Sequence, residues 1–163
     1  MNYMKSLLFF MIIGFTSCTT NSEIVTKPIP FKFGSTMVVI EQSILPLCDS
    51  INKKMDEPIQ LPTAQKYQSQ LDCIGFMYAG KKRKVELVFA DDALDIIWIL
   101  IEAEEEGLFI EKFKKLYGEP THIKEDVTFF LNDGVAVRNK PHEVLFISER
   151  LKNPYKEWLD TSN

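Results

Sequence analysis

The sequence predicts an α+β fold: two units, each a helix followed by a three-stranded antiparallel meander, forming one sheet with the helices on one face. Three observations predict it. Two segments carry apolar residues three and four apart, each opened by capping residues and closed at Pro or Gly. After each of them the apolar period changes to two, with turn residues between the runs. The order helix, three strands, helix, three strands therefore occurs twice, without a residue-level repeat.

The first helix starts at Gly34-Ser35, with Ser35 as N-cap, and places Met37, Ile40, Ile44, Leu47, Cys48 and Ile51 on one face. Pro46 must kink it or end it early. Residues 53 to 66 hold Pro58 and Pro62 among polar neighbours and read as a loop. Leu71, Cys73 and Met77 then alternate with Ile74, Phe76 and Tyr78, Gly80-Lys81 turns the chain, and Val85, Leu87 and Phe89 alternate with Lys84, Glu86 and Val88. That is a hairpin. Asp91-Asp92 makes the next turn, and Ile96 to Ile101 is apolar on both faces, as in a strand covered on each side.

Glu102 to Glu106 opens the second helix, whose apolar face is Phe109, Phe113, Leu116 and Tyr117 and whose end is Gly118 with Pro120. The acids at its start favour the helix macrodipole, which gives Glu104 to Glu106 a structural role. Three strands follow, Val127 to Leu131, Val135 to Arg138 and Glu143 to Ser148, separated by Asn132-Asp133-Gly134 and Lys140-Pro141. A short terminal helix begins at Asn153-Pro154 with Tyr155, Trp158 and Leu159. Trp98, Phe129, Phe130 and Phe146 read as core residues in preference to partner contacts, although on an open sheet face an exposed aromatic among them would anchor an interface.

The 163 residues are 45% hydrophobic and 26% charged, with 12 Phe, 5 Tyr and 2 Trp, which excludes collagen-like and disordered classes. A net charge of -4 with no broad basic stripe argues against nucleic-acid binding, where phosphate neutralisation dominates affinity. The N-terminus is more specific. Met1 to Lys5 is a short basic start and Leu7 to Phe15 is an apolar run, the pattern of an export signal over residues 1–17. That run is too short to span a bilayer. Phe15-Thr16-Ser17-Cys18 resembles a bacterial lipobox, which implies a lipid-bearing, palmitate-modified Cys18 as the first mature residue. Thr19 after it resembles the signal for outer-membrane sorting. Residues 18–30 then form a polar tether ending at Pro28 and Pro30, and residues 31–163 a single domain held in the periplasm.

Using Cys18 for lipid leaves Cys48 and Cys73 as an even pair in an oxidising compartment, where a disulfide is the economical reading and two buried thiols the alternative. Two distant histidines, His122 and His142, give no metal-ligand spacing, so neither a metal nor another cofactor is expected. No phosphate loop, nucleophile elbow or paired-His helix appears, and no catalytic residue is assigned. Lys81, Lys82, Arg83 and Lys84 form the one concentrated basic run. At a hairpin tip they are either an anionic-surface contact or a solvated turn that protects a sheet edge.

The element order, with Phe33-Gly34-Ser35 opening a helix and Gly107 to Pro120 preceding a second meander, resembles the small envelope lipoproteins of the SmpA/OmlA (BamE-like) group and the related β-lactamase-inhibitor-protein fold over roughly residues 31–149. Those groups act by binding other proteins. The resemblance implies a lipid-anchored binding or assembly protein of the cell envelope, not an enzyme, whose partner is another envelope protein. The alternative is an inhibitor of an exported hydrolase, with the loop from Lys53 to Lys66 as plug.

Overall fold

A computed structural model of the chain describes residues 25–56 and 58–161. The export signal, Cys18 and the first part of the tether lie outside the described residues. Among the described residues the fold is α+β, with three α-helices and one eight-stranded antiparallel sheet in the order β1-β2-β3-β4-β8-β7-β6-β5. No described helix is long and apolar enough to cross a membrane.

Helix α1, Met37–Ile44, is capped by Thr36 instead of Ser35: the Thr36 hydroxyl accepts from the Val39 amide, and Asp92 Oδ1 accepts from the Met37 amide at 3.1 Å. Ile40 and Ile44 are buried. A 3-10 turn, Leu45–Leu47, carries Pro46 and ends the helix, so Ile51 lies on a strand and not on the helical face. That strand, β1 (Ser50–Asp56), replaces the first part of the expected loop. It was illegible because an edge strand is paired on one side only, and Ser-Ile-Asn-Lys-Lys-Met-Asp has no apolar alternation. Its register comes from β2 (Gln68–Tyr78), from Ser50 opposite Ile74 to Asp56 opposite Gln68.

The Cys48–Cys73 disulfide fastens the start of this edge strand to β2, with the Cα atoms 5.5 Å apart. Closing a 25-residue separation contributes about 3–4 kcal/mol in the chain-entropy model. The Cys48→Ser, Cys73→Ser variant is expected to lose about 3 kcal/mol in urea unfolding. A loss under about 1 kcal/mol would mean that β1 pairing already restricts the reduced chain.

Strands β2 and β3 (Lys81–Ala90) turn at Ala79-Gly80, and β3 and β4 (Ala93–Leu100) at Asp91-Asp92, with positive φ at all four residues. The first turn sits one residue before the expected Gly80-Lys81. Gly75 forms a bulge in β2 at φ +83°, a conformation that favours glycine, and a Cβ there would also push the exposed Asp49 carboxylate aside. A second register shift leaves Asp95 as the extra residue of β4 between Leu94 and Ile96.

A 3-10 turn, Ala103–Glu105, with a Glu102/Glu105 capping box leads into α2, Glu106–Tyr117, which ends at Gly118. Phe109 and Phe113 are buried as expected, whereas Leu116 is exposed. The last strands are β5 (His122–Ile123), unforeseen at two residues, then β6 (Val127–Phe130), β7 (Val135–Asn139) and β8 (His142–Ile147). Helix α3, Glu149–Thr161, starts well before Asn153, with Pro154 inside it.

Helices α1 and α2 pack on one face, over Leu71, Val85, Leu87, Ile97, Ile99, Phe130 and Phe146. Helix α3 packs on the other, where Leu151 and Leu159 meet Ile96, Phe129, Ala136, Leu145 and Ile147. The expectation of helices on one face is corrected accordingly. Strands β4, β6 and β8 are apolar on both faces, so each face there needs cover.

Candidate functional site: an aromatic cleft beside helix α3

Where α3 stops covering its face, the sheet is left with a cleft of about 480 Å³. Strand β4 supplies Trp98 to its lining, β6 supplies Phe129 and β7 supplies Arg138. Tyr155 and Trp158 from α3 and Leu61 and Pro62 from the loop before β2 complete it. The period of α3 explains its share. Leu151, Tyr155, Trp158 and Leu159 recur at four, three and one, so the stripe that seats the helix also borders the opening. Tyr155 packs between Phe129, tilted at 5.5 Å, and Trp158, edge-on at 6.2 Å.

The loop is fastened, not projecting. Gln68 Oε1 accepts from the amides of Gln60 and Leu61 at 3.0 and 2.8 Å, and the Thr63 hydroxyl donates to Asp95 Oδ2 at 2.7 Å. The Asp91 carboxylate accepts from the amides of Gln65, Lys66 and Tyr67, and those three hydrogen bonds hold its pKa below the usual range. The segment expected as a plug thus forms β1 at its start and a wall of the cleft at its end.

On the cleft side of Trp98 the Arg138 guanidinium lies 4.3 Å from the ring centroid and bridges to Glu143, its partner across β7 and β8. Its Nε is buried without a hydrogen-bond acceptor. Glu143 is buried, and burial pushes its carboxyl up to about 7 although Arg138 pulls the other way. The folded state therefore binds this proton more tightly than the unfolded chain, whose value is near 4.5, so stability falls as pH rises through that interval. Glu105 has the opposite sign: hydrogen bonds from Arg83 hold it at about 2, so stability is lost as pH drops below about 4.5. Urea midpoints should peak near pH 5, and Glu143→Gln should flatten the decline toward pH 7. An unchanged decline in that variant would place the titrating group elsewhere.

The basic run does not form one patch. Alternation along β3 sends its side chains to both faces, and each is matched by a carboxylate: Lys81 by Glu102, Lys82 by Asp49, Arg83 by Glu105 and Lys84 by Glu86 and Asp72. Arg83 is buried and also donates to the Tyr78 carbonyl at 3.0 Å. Apart from Glu86 on the same strand, those partners come from other segments, which is why the run looked unpaired in sequence.

The histidines also have structural neighbours. His142 Nδ1 lies 3.3 Å from Glu106, while His122 lies between Asp160 at 3.2 Å and the Thr121 hydroxyl at 3.0 Å. That order imitates a nucleophile relay, but the Thr121 hydroxyl donates to the Phe129 carbonyl and accepts from the Leu131 amide, tying the start of β5 to β6. Among the described residues no group of three His, Cys, Asp or Glu is arranged to hold a metal.

Trp98 and Phe129 were legible as core residues with an interface anchor as the alternative, and Tyr155 and Trp158 only as part of a terminal helix. Extending the periodicity back across Pro154 to Leu151 was the signal that would have marked α3 as a packed helix with an aromatic border. No protein-family model, curated protein or solved structure matches the chain.

Proposed function

We propose that the chain is a lipid-anchored binding protein of the bacterial cell envelope, attached through Cys18, that holds a segment of another envelope protein in the aromatic cleft and carries out no catalysis. The observation that carries the reading is the cleft itself. Rigid aromatic rings with a half-buried arginine supply large contact area at low entropy cost, the composition of an interface hot spot. We read the sheet as two related units, α1 with β2–β4 and α2 with β6–β8, that meet at β4 and β8. This plan supports kinship with the SmpA/OmlA-like lipoproteins that the element order resembles. The fastened loop gives the hydrolase-inhibitor alternative no projecting plug.

Two measurements test it. A photo-crosslinking residue in place of Tyr155 should join the protein to one envelope partner, while the same residue at Lys115 on α2 should not. Labelled palmitate should enter the wild-type protein and be lost in Cys18→Ala. Identical crosslinks from both positions, or none from Tyr155, would reject the cleft as the recognition site.

A further inference from the structure

The outer side of α1 breaks the rule that a surface helix turns polar residues to water. Ile40 and Ile44 face the core, and a 100° step per residue then points Val38, Val39 and Gln42 outward, with Leu45 and Pro46 of the following 3-10 turn also exposed. Four of those five are apolar. Val38 is 58% exposed and Leu45 66%. The ridge continues at the C-terminal end of the helix. Ser43 donates to the Pro30 carbonyl, which lays the incoming chain beside the helix and leaves Ile29 94% exposed there. Just beyond, Leu47 and Met77, both exposed, line one hollow with Pro46.

The geometry points to a lipid bilayer as the surface that covers this ridge, with α1 lying in the interface and the aromatic cleft on the opposite face of the sheet turned away from the membrane. The inference rests on the lipid anchor at Cys18 proposed above. What selects a bilayer is where the chain comes from. Val25 is buried in the same core as Ile40 and Ile44, its carbonyl accepting from the Tyr78 hydroxyl, so the tether enters on the α1 face. Only six residues lie between Cys18 and Val25, seven Cα steps that at full extension reach about 25 Å. A lipid at Cys18 therefore keeps this face, and not the cleft, within one short tether of the headgroups. Lys32, exposed beside Phe31, adds a cation on the same approach.

The test uses the lipidated full chain in vesicles of phosphatidylethanolamine and phosphatidylglycerol, with an environment-sensitive dye on Gln42→Cys at the centre of the ridge and, separately, on Glu157→Cys of α3. The dye at residue 42 should shift to the blue and be quenched by lipids carrying a nitroxide high on the acyl chain. The dye at residue 157 should do neither. Adding Val38→Asp and Leu45→Asp should return the residue-42 dye to its aqueous emission while the protein still floats with the vesicles. An aqueous emission at residue 42 in protein that floats would overturn the docking and spare the anchor. Protein that fails to float would overturn the anchor, and the docking with it.

Discussion

Phe113→Ala is expected to lower the unfolding free energy by about 3–5 kcal/mol, because its side chain is fully buried where α2 meets the second half of the sheet. Its ring lies 6.1 Å from Phe109 and 5.7 Å from Tyr117 on the same helix. Edge-on contacts at 6.0 Å to Phe130 of β6 and 6.3 Å to Phe146 of β8 carry that helix onto the strands. Four rings around one side chain leave no single neighbour able to fill the vacated space, so most of the cavity should persist. Leu116→Ala on the same helix is the internal comparison. Leu116 is exposed, and its truncation should change stability by no more than about 0.5 kcal/mol. Equal losses in urea unfolding would mean that α2 contributes through helix propensity and not through this cluster.

That contrast also marks where the sequence was legible. Phe109 and Phe113 follow a helical period between a run of acids and a glycine, and the hairpin of β2 and β3 is marked by alternation closed by a tight turn, although the bulge at Gly75 breaks the expected alternation: Phe76 and Tyr78 join Leu71 and Cys73 in one core, and Met77 is exposed. Both signals are local, so both survive in one dimension. Asp91-Asp92 was legible as a turn for the same reason, but its two further tasks were not. Asp92 caps α1 from 55 residues away and Asp91 gathers the amides of residues 65 to 67. Strand β1 was hidden because its partner determines its register, and β5 because two residues give no period. The position of α3 was hidden for a related reason. Pro154 at the sequence level is a natural helix start, which masks the spacing from Leu151 to Tyr155, and the packing of Leu151 against the far face shows that the helix already exists before it.

The cleft depended on all of these hidden pieces. Leu61, Trp98, Arg138 and Tyr155 come from four separate segments, and nothing in the spacing of any one segment announces the others. Lys81 to Lys84 shows the converse. The run was the strongest local feature of charge in the chain, yet long-range carboxylates neutralise it within the fold.

Asp95→Ala is expected to cost about 3–5 kcal/mol and to open the cleft, since this one carboxylate joins three of the parts that build it. Asp95 is completely buried at the bulge of β4. Its Oδ1 accepts from the Ser148 hydroxyl at 2.6 Å and Arg150 Nε at 3.1 Å, and its Oδ2 from the Thr63 hydroxyl at 2.7 Å and Arg150 Nη2 at 2.6 Å. A buried carboxylate with four donors is stable only as a set, so Arg150→Met alone should also be costly, by leaving the charge without its cation. Combining it with Asp95→Asn should cost less than the sum of the two single changes, a coupling that a double-mutant cycle reads directly. The sequence has only two tryptophans, Trp98 and Trp158, and both line the cleft. Their emission should therefore shift to the red in Asp95→Asn under conditions where far-UV circular dichroism still reports a folded chain. Unshifted emission beside a large loss of stability would show that Asp95 supports the sheet and the start of α3 without setting the position of the loop, and would remove that loop from the recognition surface.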